Sequence, residues 1–205
     1  MSQQPEKKKF KLLHATTFHV LAAALVLSLS GIVMTFCISW AQNQEHIEAE
    51  AETDIFKTFE LQTLDGKPFT AQDLRSSSLV AVNVWGTDCP PCIQELPALE
   101  ELNNSYDDSV FRIIGTPIDV SVHGETIVEE RLEEAKRILD ATGVTFLNFV
   151  PDAKASAFFT STMLGTPTTY FLDSEGNILK TVTGNRTFGT WSEIVKSLLE
   201  EEKQK

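Results

Sequence analysis

The sequence predicts an α/β domain over residues 56–205, with a central mixed sheet flanked by helices. Segments with strand and helix patterns alternate along this part of the chain and end in a hairpin and a helix, an order typical of a mixed sheet. Residues 79–85 are almost continuously apolar, as expected for a central strand that is covered on both faces. Hydrophobic residues make up 42% of the whole chain, which is enough to form a packed core.

The N-terminal part of the chain has the pattern of a membrane anchor. Residues 1–16 form a basic segment with four lysines close together, and residues 17–40 contain no Asp, Glu, Lys or Arg. At about 1.5 Å per residue, a helix over residues 17–40 is long enough to cross a bilayer. Because basic residues favour the cytoplasmic side, we expect a single-pass signal anchor in the bacterial cytoplasmic membrane, with the rest of the chain on the extracytoplasmic (periplasmic) side.

A cleavable signal peptide is the alternative for the same segment. Ser39, Trp40 and Ala41 form a small-x-small sequence of the kind that signal peptidases cleave. The apolar run is longer than the usual core of a signal peptide, which favours an uncleaved anchor. Both alternatives export the remaining chain. Residues 41–55, rich in Glu, Gln and Ala, are then an acidic tether.

The charge of the chain excludes one class of partner. The formal net charge is −12 at pH 7, and the acidic excess lies outside the basic first segment. An acidic body does not suit a phosphate backbone, so we expect no binding of nucleic acid.

The first part of the domain is predicted to contain a hairpin and a helix interrupted by proline. The Asp65-Gly66 pair between two short apolar runs indicates the hairpin. Pro97 lies inside the first long helical segment, where it removes one backbone hydrogen bond and should kink the helix. The predicted order is a hairpin at 56–70, a strand at 79–85, a helix at 90–106 and a strand at 110–118.

An inserted helix is predicted after these elements. Apolar residues recur near helical spacing over residues 127–141. Thr126 is expected to cap this helix, with Glu129 at the capping-box position. We expect the insertion to lengthen the fold without supplying chemistry. The remaining elements are predicted to be a strand at 145–150, a helix at 152–162, a strand at 168–172, a turn at 174–177, a strand at 178–182 and a helix at 190–201.

Two cysteines follow the central strand in the sequence Cys89-Pro90-Pro91-Cys92. They fall at the start of the predicted helix, where unpaired backbone N–H groups and the positive end of the helix dipole favour a thiolate, the reactive form of cysteine. Their spacing allows the two sulfurs to form a reversible disulfide. A purely structural disulfide is not expected, because closing so short a loop removes almost no unfolded-state entropy.

The same cysteine spacing occurs in zinc sites, and this alternative lacks ligands. A structural zinc ion needs four ligands, normally including a second pair at short spacing. Outside the apolar segment, the remaining candidates His46 and His123 are single and far apart. We therefore expect no metal and no cofactor. Cys37, alone in the apolar segment, is expected to be a membrane-buried side chain.

Several of these features together resemble a known superfamily. Trp85 four residues before Cys89, the Cys89/Cys92 pair, and Pro97 five residues after Cys92 resemble the active-site strand and helix of thioredoxins. Residues 165–173 resemble the cis-proline segment of the same superfamily. Within it, the sequence around the cysteines and the inserted stretch are similar to the membrane-anchored TlpA/ResA-like reductases, including those of cytochrome c maturation. This resemblance implies a thioredoxin-like fold with an added N-terminal hairpin.

The resemblance also implies a role for each residue of the site. Cys89 is the attacking thiol and Cys92 the resolving one in a thiol–disulfide oxidoreductase. Pro167 is expected to follow a cis peptide bond, which leaves the Thr166 backbone free to pair with an extended substrate. Trp85 is expected to pack beside the site. The predicted substrate-binding residues are Trp85, Pro90, Pro91, Thr166 and Pro167. The implied partners are a disulfide-bonded protein as substrate and a membrane-embedded thiol transporter as electron donor.

Residues beside the cysteines favour the reducing direction. Pro90 and Pro91 carry no N–H, so fewer backbone donors face the Cys89 sulfur, and Asp88 adds a negative charge next to it. Glu95 lies one helical turn after Cys92. If Glu95 is buried beside the sulfurs, its pKa rises and it can shuttle protons.

Two other functions remain open at this point. A thiol peroxidase would use Cys89 on a peroxide, but its usual pattern has a proline upstream of the cysteine, and no proline lies between Pro68 and Cys89. A copper chaperone of the SCO type would use a cysteine pair with a remote histidine, and His123 could imitate that ligand. The pair here is one residue shorter than the SCO pattern.

Overall fold

The computed structural model describes residues 34, 35, 38, 39 and 54–204, and the chain separates into two units, residues 1–50 and 51–205. The four described residues of the first unit are helical. Among all the described residues, no helix combines the length and apolar character needed to span a membrane. The predicted basic segment, anchor and tether lie outside the described residues, apart from these four and the last two residues of the tether, and stay predictions.

The second unit follows the predicted alternation of strands and helices. A short 3-10 helix (Asp54–Phe56) opens it. The strands are β1 (Glu60–Thr63), β2 (Pro68–Thr70), β3 (Leu79–Trp85), β4 (Phe111–Pro117), β5 (Ser121–Val122), β6 (Thr126–Ile127), β7 (Phe149–Val150), β8 (Thr168–Asp173) and β9 (Ile178–Thr183). The helices are α1 (Ala71–Leu74), α2 (Pro90–Asn103), α3 (Glu129–Thr142), α4 (Ala153–Thr162) and α5 (Phe188–Glu202).

Strand β3 lies inside a four-stranded sheet with the order β4-β3-β8-β9. β4 runs parallel to β3, whereas β8 is antiparallel to both β3 and β9. The predicted central mixed sheet is therefore confirmed. All seven residues of β3 are buried, which explains why the strand is apolar almost throughout.

The predicted N-terminal hairpin is confirmed as part of a second sheet. β1 pairs with β2 in antiparallel fashion, and β7 pairs with the other edge of β1. Gly66, in the turn of this hairpin, has a φ of 75°, a conformation that glycine adopts without strain. β7 contains two residues, so the strand predicted at 145–150 is shorter than expected.

The start of the inserted helix differs from the prediction. Thr126 and Ile127 form strand β6, which pairs with β5, and helix α3 begins only at Glu129. The N-cap residue is Val128, and its N–H donates to the Val120 carbonyl over 2.8 Å. The predicted Thr126 cap is therefore wrong, because backbone pairing in a small hairpin claims the residue that the capping pattern would use.

Separate hydrophobic clusters cover the two faces of the central sheet. Successive side chains of a strand point to opposite faces. The odd-numbered apolar residues of β3 pack with side chains of α2 and α5, and the even-numbered ones pack with α4 and the aromatic residues of the hairpin. By the same alternation Asn83, the one polar residue of this strand, lies on the face beneath α2.

Asn148 holds the end of β3 through a buried hydrogen bond. Trp85 Nε1 donates to Asn148 Oδ1 over 3.0 Å, and Asn148 Nδ2 donates to the Phe146 carbonyl over 3.1 Å. Both Trp85 and Asn148 are buried. The backbone of β4 passes so close to this amide that a Cβ on Gly115 would overlap it. Glycine is therefore required at this position.

We predict that Gly115→Ala lowers the free energy of unfolding by about 2 kcal/mol or more, because the added methyl group displaces a buried amide and leaves the Trp85 N–H unpaired. Urea denaturation measures the change. The control is Gly189→Ala in α5, where a Cβ would meet nothing closer than 4.0 Å and helix propensity favours alanine. Equal stabilities for Gly115→Ala and the unmodified protein would contradict the prediction.

Candidate active site

Cys89 and Cys92 are joined by a disulfide at the N-terminal end of α2. Their Cα atoms lie 5.3 Å apart. Cys92 has 0% of its surface exposed, whereas Cys89 is partly exposed. Cys89 is therefore the member of the pair that another molecule can reach.

The start of α2 leaves few hydrogen-bond donors around Cys89. Cys89 is the N-cap residue, and Pro90 and Pro91 occupy the first two helical positions. Proline fits the first turn of a helix, but it has no N–H. Two of the backbone donors that normally point out of a helix start are thus missing. Both prolines are exposed and extend the accessible surface next to the disulfide.

The cis-proline segment lies beside the disulfide. Thr166 Oγ1 is 3.5 Å from the Cys89 sulfur, although 77 residues separate them in sequence. The Thr166–Pro167 peptide bond is cis, as the resemblance implied. Pro167 itself is buried, whereas Thr166 is partly exposed. Within the described part of the chain, no backbone hydrogen bond uses the N–H or C=O of Thr166.

Glu95 is buried one turn after Cys92, with 3% of its surface exposed. Asn83 Nδ2 donates to Glu95 Oε1 over 3.2 Å, and the Arg186 backbone N–H donates to Glu95 Oε2 over 3.2 Å. Asn83 Nδ2 also donates to Thr169 Oγ1 over 3.0 Å. These contacts hold the carboxyl group between β3 and the start of α5, on the side of α2 that faces the core.

Burial raises the pKa of Glu95 from its usual 4.5 to about 7. Loss of hydration is the largest cause, and the hydrogen bonds from Arg186 and Asn83 partly oppose it. The Trp191 indole N–H also favours the carboxylate, although it lies outside hydrogen-bond geometry. A carboxyl group with this pKa exchanges a proton readily near neutral pH.

Trp85 was predicted to be a substrate-binding residue, and its position does not support direct contact. Its side chain is fully buried, with 0% exposed. It packs in the same cluster as Cys92 and Leu96. In this structure Trp85 therefore supports the site by packing beneath it rather than by touching a substrate.

Asp88 is not the isolated negative charge that the sequence suggested. Arg131 Nη2 of helix α3 lies 2.5 Å from Asp88 Oδ2. This hydrogen bond lowers the pKa of Asp88. Sequence reasoning missed Arg131 because it lies 43 positions after Asp88, and nothing in the helical pattern of α3 distinguishes it from Arg137.

Leu164 is a second residue that sequence reasoning missed. Its side chain is 96% exposed, the largest fraction among the exposed large hydrophobic residues of the described chain. It lies two residues before Thr166, which contacts the Cys89 sulfur. The signal was present in the sequence as an apolar residue next to Gly165 in a loop, but its exposure depends on the tertiary fold.

The described residues contain no group of three or more His, Cys, Asp or Glu side chains placed to hold a metal ion. His123 is exposed in the turn between β5 and β6, with a φ of 51°.

Comparison with known proteins gives consistent matches. A model of the AhpC/TSA family matches residues 53–181. The thioredoxin-like protein YneN of Bacillus subtilis is 28% identical over 165 residues, which cover 78% of this chain and 91% of that protein. The thiol-disulfide oxidoreductase ResA of Halalkalibacterium halodurans is 30% identical over 129 residues, which cover 63% of this chain and 66% of that protein.

A solved structure supports the thioredoxin-like fold. The crystal structure of a thiol:disulfide interchange protein of the thioredoxin family from Chlorobium tepidum TLS matches with a TM-score of 0.57 and 25% identity. The match covers 70% of this chain and 94% of that chain. The predicted thioredoxin-like fold, with its mixed sheet and flanking helices, is therefore confirmed.

We predict that Glu95 makes stability fall as the pH rises from about 4.5 to about 7. The folded state binds more protons than the unfolded state in this range, so its advantage is complete below pH 4.5 and is lost above pH 7. At 1.36 kcal/mol per pKa unit, the loss is about 3 kcal/mol. Glu95→Gln should therefore gain stability relative to the unmodified protein as the pH rises, and urea denaturation across this range measures the difference.

The control for this prediction is Glu101→Gln, which removes an exposed carboxylate from the same helix. Its stability difference from the unmodified protein should be constant across the same pH range. A Glu95→Gln difference that is also constant would contradict the raised pKa.

Proposed function

This chain belongs to the AhpC/TSA family and is a thiol–disulfide oxidoreductase, and we propose that it reduces disulfide bonds of exported proteins through Cys89 and Cys92. The observation that carries the proposal is the asymmetry of the pair. Cys89 is accessible at the start of α2, whereas Cys92 is fully buried behind it. An accessible thiol can attack a foreign disulfide, and a shielded one is restricted to attacking its neighbour.

The reaction begins with the reduced pair. The Cys89 thiolate attacks one sulfur of the substrate disulfide, so that a bond forms between Cys89 and that sulfur while the substrate S–S bond breaks. The departing substrate sulfur leaves as a thiolate and takes a proton. Thr166 Oγ1, 3.5 Å from the Cys89 sulfur, donates a hydrogen bond to it.

The second step returns the site to the form seen in the structure. Cys92 loses its proton and attacks the Cys89 sulfur, which forms the Cys89–Cys92 disulfide and releases the second substrate sulfur as a thiolate. Two electrons have then passed from the enzyme to the substrate. Glu95, on the same face of α2 one turn from Cys92 and with a pKa of about 7, is the group that accepts the Cys92 proton.

The start of α2 supports the reducing direction. Backbone N–H groups near a thiolate stabilise the reduced form and make a protein more oxidising. Pro90 and Pro91 remove two of these donors. The reduced pair is therefore less stabilised and gives up its electrons more readily.

An extended segment of the substrate binds over the cis-proline loop. The N–H and C=O of Thr166, which make no backbone hydrogen bond within the described residues, provide the backbone partners. Pro90 and Pro91, which follow Cys89, and Leu164, two residues before Thr166, provide exposed apolar surface. This surface favours an unfolded or flexible protein with an apolar residue near its disulfide.

The site works outside the cytoplasm, on a chain held in the cytoplasmic membrane by residues 17–40. The support is the apolar composition of that segment and the lysines before it. A membrane-embedded thiol transporter returns electrons to the Cys89–Cys92 disulfide. Apocytochrome c, which carries paired cysteines for haem attachment, is the substrate class that the resemblance to cytochrome c maturation reductases implies.

We predict that Cys92→Ser accumulates a mixed disulfide between Cys89 and its substrate, because the resolving thiol is absent. Non-reducing gel electrophoresis and mass spectrometry of the membrane fraction detect the adduct. Cys89→Ser, which lacks the attacking thiol, should form none, and Cys37→Ser should not change the result. Failure of Cys92→Ser to trap any protein would contradict the proposed reaction.

The same preparations separate the two other functions. Peroxide consumption by the unmodified protein, as fast as its reduction of a protein disulfide, would favour a thiol peroxidase. Copper binding that disappears in His123→Ala would favour a copper chaperone.

We predict that Leu164→Ser raises the KM for a disulfide-bonded protein about threefold to tenfold, from the loss of one buried apolar contact worth about 1 kcal/mol. The rate with a small disulfide such as oxidised glutathione should not change. The control is Val110→Ser, which removes another exposed apolar side chain at the opposite end of the central sheet. Equal effects of Leu164→Ser on both substrates would contradict a role in protein recognition.

A further inference from the structure

Helix α3, the insertion to which the sequence assigned no chemistry, places an arginine on the active-site turn. Arg131 lies in the first turn of α3. Its Nη2 is 2.5 Å from Asp88 Oδ2, and its Nη1 is 2.9 Å from Thr87 Oγ1 and 3.8 Å from Asp119 Oδ2. The Arg131 guanidinium thus joins the turn before Cys89 to Asp119, which lies two residues after the end of β4.

Asp119 also holds this turn. Both of its carboxylate oxygens accept a hydrogen bond from the Thr87 backbone N–H, at 3.1 and 3.0 Å, and Oδ2 accepts another from Thr87 Oγ1 at 2.5 Å. Thr87 is 5% exposed, so these bonds are partly shielded from water. The turn is therefore fixed between a carboxylate and an arginine, in an arrangement with two negative charges and one positive charge.

This network lies close enough to Cys89 to influence its sulfur. Asp88 is the adjacent residue. A Cβ placed on Gly86 would be 3.7 Å from the Cys89 Cβ and 3.9 Å from Asp119 Oδ1, so the Asp119 carboxylate is at most about 8 Å from the Cys89 Cβ. That separation is within the Debye length of about 8 Å at physiological ionic strength. On the inner side of α2, Glu95 lies one turn after Cys92 and accepts a hydrogen bond from the Arg186 backbone N–H.

We propose that Arg131 is a positioning residue that sets the reactivity of Cys89, by offsetting the charges of Asp88 and Asp119 and by fixing the turn that carries them. With Arg131 present, this network has a net charge of about −1 beside the attacking sulfur, and without it the charge would be about −2. Additional negative charge disfavours the Cys89 thiolate. The proposal rests on the proposed function in one respect, that Cys89 is the attacking thiol.

The size of the effect is limited by solvent. The Arg131 side chain is 37% exposed and that of Asp88 75% exposed, and interactions between exposed charges are worth little. We therefore expect the loss of Arg131 to change the rate of Cys89 alkylation about twofold to fivefold at neutral pH. The effect should shrink at high salt, because screening weakens exposed pairs first.

The test measures alkylation of Cys89 by iodoacetamide as a function of pH, in the full chain carrying Cys92→Ser. Peptide mass spectrometry distinguishes Cys89 from Cys37. Arg131→Gln should move the midpoint of the pH profile upward and slow alkylation near pH 7, and Arg131→Lys should recover part of the rate. Asp88→Asn should move the midpoint downward, and Arg131→Gln with Asp88→Asn should return it towards the unmodified value.

The matched control is Arg137→Gln, which removes an arginine from the same helix. Arg137 is 71% exposed and pairs with Glu134 within α3. Its removal should leave the profile unchanged. An unchanged midpoint in Arg131→Gln, or an equal shift in Arg137→Gln, would overturn the proposal.

Two features keep the test decisive. If Arg131→Gln fails to fold, Asp88→Asn measures the same charge effect, and an unchanged profile in that variant would overturn the proposal. Alkylation needs no protein substrate, so this result is independent of whether the protein reduces other proteins. Suppose that Cys92→Ser traps no protein but Arg131→Gln shifts the alkylation midpoint as expected. This outcome would count against the proposed function and not against the role of Arg131.

Discussion

The hydrogen bonding of β3 between β4 and β8 is the constraint on which the site depends. Because β3 is parallel to β4 and antiparallel to β8, the end of β3, the end of β4 and the start of β8 lie at the same end of the sheet. Cys89, Thr166 and Asp119, from three distant parts of the chain, come together at this end of the sheet. The register matters as much as the order, since a shift of one residue would turn Asn83 away from the face that holds Glu95.

The buried carboxyl of Glu95 connects the packing of the core to the chemistry of the cysteines. An ionised carboxylate is costly in an apolar environment, and here it is partly compensated by the Asn83 amide and the Arg186 backbone. The result is a pKa of about 7, at which both protonation states are populated near neutral pH. Thiol–disulfide exchange moves protons together with electrons, and the proton transfer that we propose for Glu95 follows from this pKa and from its position one turn after the shielded Cys92.

The sequence was most informative where the interactions are local. The Cys89/Cys92 pair, the Asp65-Gly66 hairpin and the buried strand β3 follow from short patterns, and the fold follows from their order. The Thr126 cap was wrong because backbone pairing with β5 overrides a local capping pattern. Arg131 and Leu164 could not be predicted, since an arginine on a helix and a leucine in a loop acquire their significance only from the neighbours that the tertiary structure gives them.

We propose that the Cys89–Cys92 pair passes two electrons to the disulfide of another protein. A single-turnover reaction tests it most directly: the fully reduced chain is mixed with an excess of a disulfide-bonded protein, and the thiols that appear on that protein are counted. About two substrate thiols should appear for each Cys89–Cys92 disulfide formed, as two-electron exchange requires. Oxidation of the cysteine pair without release of substrate thiols, or a pair that stays reduced, would contradict this electron transfer.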